Sequence, residues 1–353
     1  MLENEPVRPR STDPEGEGTG RPSSATRLYR DRSLTFADLA SQDPAMQRAL
    51  DEARTAAKYD IEVLILGESG TGKTLLALAM HNASPRREGP FVELDVARVP
   101  DTLIESELFG HEKGAFTGAM ADRHGVFETA HCGTLFLDEI GNMSPAMQAK
   151  LLTVVETRRF SPVGGRTERT VDARFIAATN ADLEREMKSD AFRSDLYYRL
   201  AKIPIWLPPL RERRSDILPF ARRFLEEANV KLGRNVEGFS DECEARMLSY
   251  SWPANLRGLY SRIVWAVALT TSPRIGLGDL FRDLARHPLL PVEAVESNGD
   301  PSVDPALLTL AEVERRHIEL VLRAQEGNIT SAARVLGITR QGLHKKLKRH
   351  GLA

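Results

Sequence analysis

The sequence is poor in the features that mark secreted, metal-binding and membrane proteins. It contains only two cysteines among 353 residues, Cys132 and Cys243. Because no Cys/His spacing is typical of a metal site, we interpret both as reduced thiols. No apolar run reaches the roughly 20 residues of a membrane span, and the polar N-terminus lacks the apolar core of a signal peptide. These absences predict a cytoplasmic protein that has no membrane partner.

A strong net charge and internal repeats are also missing. The formal charge is -2, with 41% apolar and 28% charged residues, which is typical of an ordinary globular protein. The length allows roughly two or three domains. The overall charge balance therefore does not predict a nucleic-acid partner, although a basic cluster near the C-terminus does.

Composition and periodicity divide the chain into five segments. Residues 1–33, rich in Pro, Gly, Ser and charge, predict a disordered tail, either a regulatory arm or dispensable. In residues 34–210 short apolar runs alternate with helical patterns, which predicts an α/β core: a parallel sheet with helices on both faces. Residues 211–286 have no obvious strands and predict a helical lid. Residues 287–304 contain three prolines and predict a linker. Residues 305–353 predict a small all-α domain.

Residues 67–74, "GESGTGKT", match the pattern G-x-x-x-x-G-K-[ST] between a predicted strand and a predicted helix. We call them the phosphate loop. Their backbone N–H groups can cradle phosphates, the lysine can bind the β- and γ-phosphates, and the threonine hydroxyl can bind Mg²⁺. The predicted ATP-binding residues are Gly67, Glu68, Ser69, Gly70, Thr71, Gly72, Lys73 and Thr74.

Two acidic residues end the apolar run "GTLFLDEI". A carboxylate beside a phosphate loop can hold Mg²⁺, and its neighbour can polarise the attacking water. We therefore predict that Asp138 binds magnesium together with Thr74, and that Glu139 is the general base. "FIAATN" ends in Asn180, which can sense the γ-phosphate or orient water. A simple capping role for Asn180 remains open.

Arg193 and Arg199 lie six residues apart in "FRSDLYYRL", where we expect both at the surface. Charge that develops on the γ-phosphate in the transition state is commonly met by an arginine, often from a neighbouring subunit. A role in solubility alone is the other interpretation of this pair.

Five motifs then occur in a characteristic order: "GESGTGKT", "ESELFGHEKGAFTGA", "CGTLFLDEIG", "LPPLRERRSDI" and "WPANLR". Together they resemble the AAA+ domain of bacterial enhancer-binding proteins, the activators of sigma-54 RNA polymerase. The resemblance implies an AAA+ core with a helical lid, assembled as a ring that is typically a hexamer. It also places Arg193 and Arg199 at arginine-finger positions, and Arg257 at the nucleotide-sensing position of the lid.

The "GAFTGA" segment (residues 114–119) is nearly diagnostic of this family. By resemblance its residues, Gly114, Ala115, Phe116, Thr117, Gly118 and Ala119, contact sigma-54. No helical or strand period surrounds the phenylalanine, so we expect it on an exposed loop that is raised or stowed as the nucleotide changes. An exposed aromatic group of this kind marks a partner site.

Several positions depart from the family pattern. Asp95 stands where an asparagine usually restrains the catalytic glutamate, and an ionised aspartate would repel Glu139. Ala254 and Gly258 replace a glycine and a glutamate around the lid arginine. Thr74 replaces a common glutamate, and Cys132 replaces the first of two glycines. None of these changes removes a predicted catalytic group.

The C-terminal residues predict a helix-turn-helix. "TLAEVERRHIELVLRAQEGN" reads as a first helix capped at Thr309, followed by "ITSAARVLGI" and "TRQGLHKKLKRHGL". The last segment is basic and resembles the Fis-type helix that ends many enhancer-binding proteins. The predicted DNA-binding residues are Arg340, Gln341, His344, Lys345 and Lys348.

These features favour a transcription activator that binds enhancer DNA and uses ATP hydrolysis to remodel the sigma-54 polymerase closed complex. A nucleotide-binding repressor or switch is the alternative, and an unfoldase is more remote because a helix-turn-helix is present. With no receiver domain expected before the motor, we hypothesise regulation in trans by another protein or by expression level.

Overall fold

The computed structural model describes residues 26–29, 33–281, 315, 318, 322, 329–335 and 340–349. The chain divides into two compact units, residues 1–285 and 286–353. The predicted linker and Thr309 lie outside the described residues. Within those residues, no helix has the length and apolar character that crossing a membrane requires.

The described elements alternate between helices and short strands. In chain order the helices are α1 (Pro44–Ala57), α2 (Lys73–Asn82), α3 (Asp101–Phe109), α4 (Val126–Thr129), α5 (Pro145–Thr157), α6 (Leu183–Lys188), α7 (Ser194–Leu200), α8 (Ile217–Leu232), α9 (Asp241–Ser249), α10 (Asn255–Leu269), α11 (Leu277–Leu280), α12 (Ile329–Val335) and α13 (Arg340–Arg349). The strands are β1 (Thr26–Tyr29), β2 (Val63–Leu66), β3 (Phe91–Asp95), β4 (Gly110–His111), β5 (Arg123–His124), β6 (Thr134–Asp138), β7 (Arg159–Phe160), β8 (Arg169–Thr170), β9 (Arg174–Thr179), β10 (Ile203–Trp206), β11 (Gly238–Phe239) and β12 (Arg274–Ile275).

Six strands form one sheet in the order β1-β3-β6-β9-β2-β10. β2, β3, β6 and β9 pair in parallel in the middle of the sheet. They include the predicted strand before the phosphate loop and the apolar runs of "GTLFLDEI" and "FIAATN". Alternate residues of β6 enter different cores: Leu135 and Leu137 pack on one face of the sheet, and Phe136 packs on the other. Both faces are covered, so the middles of the strands are mostly apolar, as in parallel strands generally. The predicted α/β core is confirmed.

The two edges of the sheet were not predicted. β1 lies within the segment expected to be disordered, yet its four residues pair antiparallel with β3. A four-residue strand has too little period to be recognised, and its pairing with β3 is a tertiary contact. At the other edge β10 contains Pro204. Because proline has no N–H to donate to a strand ladder, it is found in edge strands rather than central ones.

The helical lid has its own core. Helices α8 to α11 pack around the fully buried Trp252, whose Nε1 donates to the Met247 carbonyl at 2.9 Å. The expectation of a strandless lid was wrong in one detail, because β11 and β12 form a two-residue parallel ladder. Pairs this short leave no pattern in the sequence.

In the C-terminal unit, α12 and α13 coincide with the second and third predicted helices of the helix-turn-helix. Ala332 and Ala333 of α12 are buried with Leu343 and Leu347 of α13, and Ile318 joins this small core. Of the first predicted helix, the structure describes residues 315, 318 and 322 alone.

Candidate nucleotide-binding site and exposed loop

The phosphate loop and the acidic residues meet at the carboxyl ends of the parallel strands. The loop follows β2, Asp138 ends β6, and Thr179 ends β9, the strand between them. A cavity of about 510 Å³ opens at this edge and is lined by the loop, by acidic side chains and by the first turns of the lid. Ligands of α/β sheets usually bind at this edge.

Lys73 is the first residue of α2 and is almost completely buried. Its Nζ donates to the Gly67 carbonyl at 2.9 Å and contacts a Glu139 carboxylate oxygen at 3.4 Å. Gly72 precedes it in a left-handed conformation, φ +111°, which brings the loop into the helix. The helix N-terminus and the lysine together form a binding site for anionic phosphate groups.

Thr74 and Asp138 approach each other as the predicted magnesium ligands. The Thr74 hydroxyl lies 3.5 Å from Asp138 Oδ2, and both residues line the cavity. Burial, and then the charge of Glu139, raises the pKa of Asp138 to about 6. Mg²⁺ is usually held by one or two protein oxygens plus phosphates and water. These two oxygens, with the carboxylates of Glu139, Glu93 and Asp95 nearby, fit such an ion.

Glu139 has a left-handed backbone, φ +54°, a rare conformation for a residue other than glycine. Its side chain accepts a hydrogen bond from the Asn180 backbone N–H at 3.0 Å. The structure thus brings two of the four predicted catalytic residues together, through the Asn180 main chain. Strained backbone of this kind is concentrated at functional sites.

Asp95 does not pair with Glu139. Its Oδ2 accepts from Arg98 Nε at 2.7 Å, while its Oδ1 is buried without a hydrogen-bond partner among the described residues. β3 and β6 run in register, so Asp95 lies opposite Asp138, and its charge contributes to the raised pKa of Asp138. The repulsion predicted for Glu139 therefore acts on the neighbouring carboxylate, and Arg98 partly balances it.

The lid contributes cavity residues that the sequence did not suggest. Phe220 and Phe224 of α8 and Tyr260 of α10 line the cavity, and Phe224 stacks edge-on with Tyr260 at 5.3 Å between ring centroids. This apolar end suits a flat aromatic base. Their helical spacing looks the same as that of lid core residues, so the sequence carries no separate signal for them.

Of two predicted nucleotide-binding residues, Arg257 contacts the phosphate loop, and the Glu68 side chain pairs with an arginine. The Arg257 guanidinium lines the cavity and donates to Ser69 Oγ at 2.8 Å, and its nucleotide-sensing role stays a prediction. The Glu68 side chain instead binds Arg211 through both oxygens, at 2.7 and 2.9 Å. This hydrogen-bonded Arg211 holds the pKa of Glu68 below its usual value. The Glu68 side chain therefore helps to hold the phosphate loop in place.

Arg193 and Arg199 do not line the cavity among the residues described. Arg193 is exposed and pairs with Asp195 at 2.7 Å. Arg199 is half-buried rather than at the surface, and its Nη2 lies 3.4 Å from the Val155 carbonyl. Within one chain the two arginines are thus apart from the phosphate loop, and an action on a neighbouring subunit's nucleotide stays a prediction.

The GAFTGA segment extends from a short hairpin formed by β4 and β5. Phe116 keeps 40% of its surface exposed, and its ring meets the His111 ring edge-on at 4.9 Å between centroids. The Gly114 N–H donates to the Ala119 carbonyl at 2.9 Å, which closes the loop. The predicted exposure of Phe116 is confirmed, and Thr117 is exposed beside it, whereas Ala119 is buried.

Two departures from the family pattern are neighbours in space. A Cβ placed on Gly258 would lie 3.1 Å from the Ala254 methyl carbon, so the glycine accommodates the larger residue at position 254. Cys132 adopts φ +60°, a conformation that suits the glycine it replaces, and its thiol is free.

In the C-terminal unit, Arg340 and His344 are exposed on α13, where a DNA contact requires them to be. The backbone of Gln341, Lys345 and Lys348 continues the same helix, and their side chains lie outside the described part. A DNA-contacting role for these five residues stays a prediction.

Comparison with known proteins covers nearly the whole chain. Three family models match: the sigma-54 interaction domain at residues 39–206, the AAA+ ATPase lid domain at 211–291, and the Fis family of bacterial regulatory proteins at 309–350. The transcriptional regulatory protein ZraR of Klebsiella oxytoca is 44% identical over 311 residues, which are 88% of this chain and 68% of that protein. The regulatory protein AtoC of Escherichia coli is 42% identical over 322 residues, 91% and 69% of the two chains.

Among solved structures, NtrX from Brucella abortus in complex with ADP superposes with a TM-score of 0.64 and 31% identity, covering 88% of this chain and 68% of that one. A second NtrX structure, in complex with ATP, superposes with a TM-score of 0.64 and 29% identity, covering 90% of this chain and 71% of that one.

Proposed function

The chain belongs to the family of sigma-54 activators with a Fis-type DNA-binding domain, and we propose that it remodels sigma-54 RNA polymerase at the expense of ATP. Its AAA+ domain is an ATP-binding ATPase domain. The observation that carries the proposal is the complete GAFTGA segment, presented on its own hairpin with Phe116 and Thr117 exposed. An exposed aromatic tip next to a hydroxyl suits a protein partner.

In this proposal the cavity residues divide the work of hydrolysis. Thr74 and Asp138 hold Mg²⁺, which neutralises phosphate charge when it is bound. Lys73 binds the phosphates. Glu139, which the Asn180 N–H orients, accepts a proton from the attacking water. In the same proposal Arg257, which bonds to Ser69 in this structure, contacts the phosphates from the lid.

Ring assembly completes the site in the same proposal. Arg193 is exposed and lies outside its own cavity, so it is available to a nucleotide held by an adjacent subunit. A γ-phosphate bound between two subunits lets each hydrolysis event change the subunit contact. The exposed Arg340 and His344 of α13 then hold the ring at an upstream DNA site.

The test asks whether the protein captures sigma-54 when it holds ADP and aluminium fluoride, which mimics the γ-phosphate. We expect a complex by gel filtration for the unaltered protein and none for Phe116→Ala. Met120→Ala is the matched control, because Met120 is also an exposed apolar residue, at 84%, but lies just outside the segment. Capture that Phe116→Ala leaves unchanged would contradict the role given to the GAFTGA segment. No capture by a protein with intact ATPase activity would contradict the proposal as a whole and favour a switch that does not remodel polymerase.

A further inference from the structure

Three successive carbonyl groups of the phosphate loop accept hydrogen bonds from the base of the lid. The pairs, acceptor first, are Ser69 O with Asn255 Nδ2 at 3.0 Å, Gly70 O with Leu256 N at 3.0 Å, and Thr71 O with Arg213 Nη2 at 2.7 Å. The donors come from the start of α10 and from the connection that leads into α8. The lid is therefore bonded to the loop at every residue along this stretch.

These bonds set the direction of the loop's N–H groups. In a trans peptide the carbonyl and the next N–H point in opposite directions. Carbonyls held toward the lid therefore turn the N–H groups of Gly70 and Gly72 to the opposite side. The N–H group between them, on Thr71, makes a long contact of 3.4 Å with the Glu68 carbonyl inside the loop. Inward-facing N–H groups are what a phosphate loop uses to bind phosphate.

Asn255 is well suited to hold the phosphate loop against the lid. It is fully buried and left-handed, with φ +50°, a conformation that asparagine tolerates better than most residues. Its Oδ1 accepts from the Leu210 N–H at 2.7 Å, and its Nδ2 also donates to Glu68 Oε2 at 3.2 Å. One carboxamide thus joins the loop, the lid helix and the connection between core and lid.

Arg213 is the second unusual donor. It is an arginine with 1% of its surface exposed, and it lines the nucleotide cavity. Its Nε is buried without a hydrogen-bond partner among the described residues. Asp216 and Asp43 supply the nearby negative charge. Burying a guanidinium is costly unless it is paired and hydrogen-bonded. Here the guanidinium donates to the Thr71 carbonyl and adds positive charge to the wall of the nucleotide cavity.

We propose that Asn255 and Arg213 are positioning residues that hold the phosphate loop in its phosphate-binding shape. The lid then controls affinity for the β-phosphate through the backbone of the loop, in addition to any contact that Arg257 makes. This inference concerns nucleotide binding and does not depend on the remodelling of polymerase.

The test is Asn255→Asp, which keeps the size of the side chain but places oxygens against the Ser69 carbonyl and the Glu68 carboxylate. Affinities for MgADP and for AMP are measured by displacement of a fluorescent ADP. We expect MgADP to bind about tenfold or more weakly and AMP to change by less than about twofold, because AMP has no β-phosphate. The readout is this ratio, which general damage to the lid would not alter.

Asn229→Asp is the matched control. Asn229 also lies in the lid, and both ends of its side chain bond to the Val236 backbone at 2.8 and 3.0 Å. The same chemical change there removes one lid hydrogen bond without touching the loop, and we expect an unchanged ratio. Equal losses for MgADP and AMP in Asn255→Asp, or the same ratio change in Asn229→Asp, would overturn the proposal.

A second pair of variants tests the idea if Asn255→Asp does not fold. Arg213→Met removes the bond to the Thr71 carbonyl, and Arg211→Met removes a cation from the same connection that bonds only to the Glu68 side chain among the loop residues. We expect the ratio of the affinity for MgADP to the affinity for AMP to fall more in Arg213→Met than in Arg211→Met. Equal effects would show that charge alone matters and that the carbonyl is not held.

Discussion

Two loops in this molecule depend on glycine, for different reasons. In the phosphate loop, Gly70 has φ +79°, and a Cβ there would lie 2.4 Å from the Ala254 carbonyl oxygen. In the GAFTGA segment, Gly118 has φ +107°, yet a Cβ there would meet no described atom within 4 Å. The first glycine is required by space and conformation together, and the second by conformation alone.

The difference shows what each loop is built to do. The phosphate loop is held by the lid and by the Lys73 side chain, so its shape is set before a ligand arrives. The GAFTGA segment is closed by its own main chain and by the His111 ring, and its outer side is open. A fixed cradle suits phosphate chemistry, and an open tip suits contact with a partner.

The largest effect should come from Glu139→Gln, which separates chemistry from binding. Removing the general base should lower ATP hydrolysis by about 10²–10⁴-fold while nucleotide affinity stays within about threefold. Phosphate release and the binding of fluorescent ADP provide the two measurements. Near-normal hydrolysis would show that another group accepts the proton, and the assignment of Glu139 would then be wrong.

Gly70→Ala should have the next largest effect. The methyl group would collide with the Ala254 carbonyl in a left-handed conformation, so the loop and the lid must separate. We expect MgADP affinity to fall roughly 100-fold, which corresponds to about 2.7 kcal/mol. Isothermal titration would measure it. Tight binding by this variant would mean that lid contact does not constrain the loop.

Asp138→Asn should stabilise the protein when nucleotide and Mg²⁺ are absent. Burial raises the pKa of Asp138 to about 6 from 3.8, so the ionised carboxylate destabilises the folded state above pH 6. At pH 7.5 we expect the free energy of unfolding of the variant to exceed that of the unaltered protein by about 1–3 kcal/mol. Its ATPase activity should be lost.

That advantage should shrink as the pH falls from 6 toward 4, because the folded carboxyl then takes up its proton. Chemical denaturation at several pH values measures this trend. An advantage of the same size at pH 4.5 and 7.5 would assign it to packing rather than to charge.

The smallest effect on stability should come from Gly118→Ala. The segment has room for the methyl group and contributes little to the core, so only the strain of an alanine at φ +107° matters, and the free energy of unfolding should fall by about 1 kcal/mol. Hydrolysis should be unchanged, but sigma-54 capture should weaken because the loop must change its conformation. Normal capture would show that the tip tolerates several shapes.

The sequence predicted those parts of the site that local motifs carry. Residues 67–74, Asp138 and Glu139 lie where their strand ends placed them, because a parallel sheet brings its carboxyl ends together. The helix-turn-helix was predicted from successive short helical segments and a basic run, and α12 and α13 coincide with the last two of those segments.

The parts that were missed depend on contacts between distant segments. Asn255 and Arg213 lie within the motifs "WPANLR" and "LPPLRERRSDI", but neither motif shows that these side chains bond to the phosphate loop, more than 140 positions away. Phe220 and Phe224 are four residues apart on α8, the spacing of core residues, and only the packed structure shows that they line the cavity. Periodicity reports which face is buried but not what covers it.

The edges of the central sheet bear on how well the protein stays in solution. β1 pairs with all but the last residue of β3, and Pro204 leaves the strand at the opposite edge without one backbone N–H donor. A shortened chain that begins at Ser33 would lose β1 and leave the apolar strand Phe91–Asp95 with an open row of backbone donors and acceptors. Such an edge can recruit the same strand from another molecule. Aggregation of that shortened protein, with its ATP site intact, would mark the first strand as a guard against self-association.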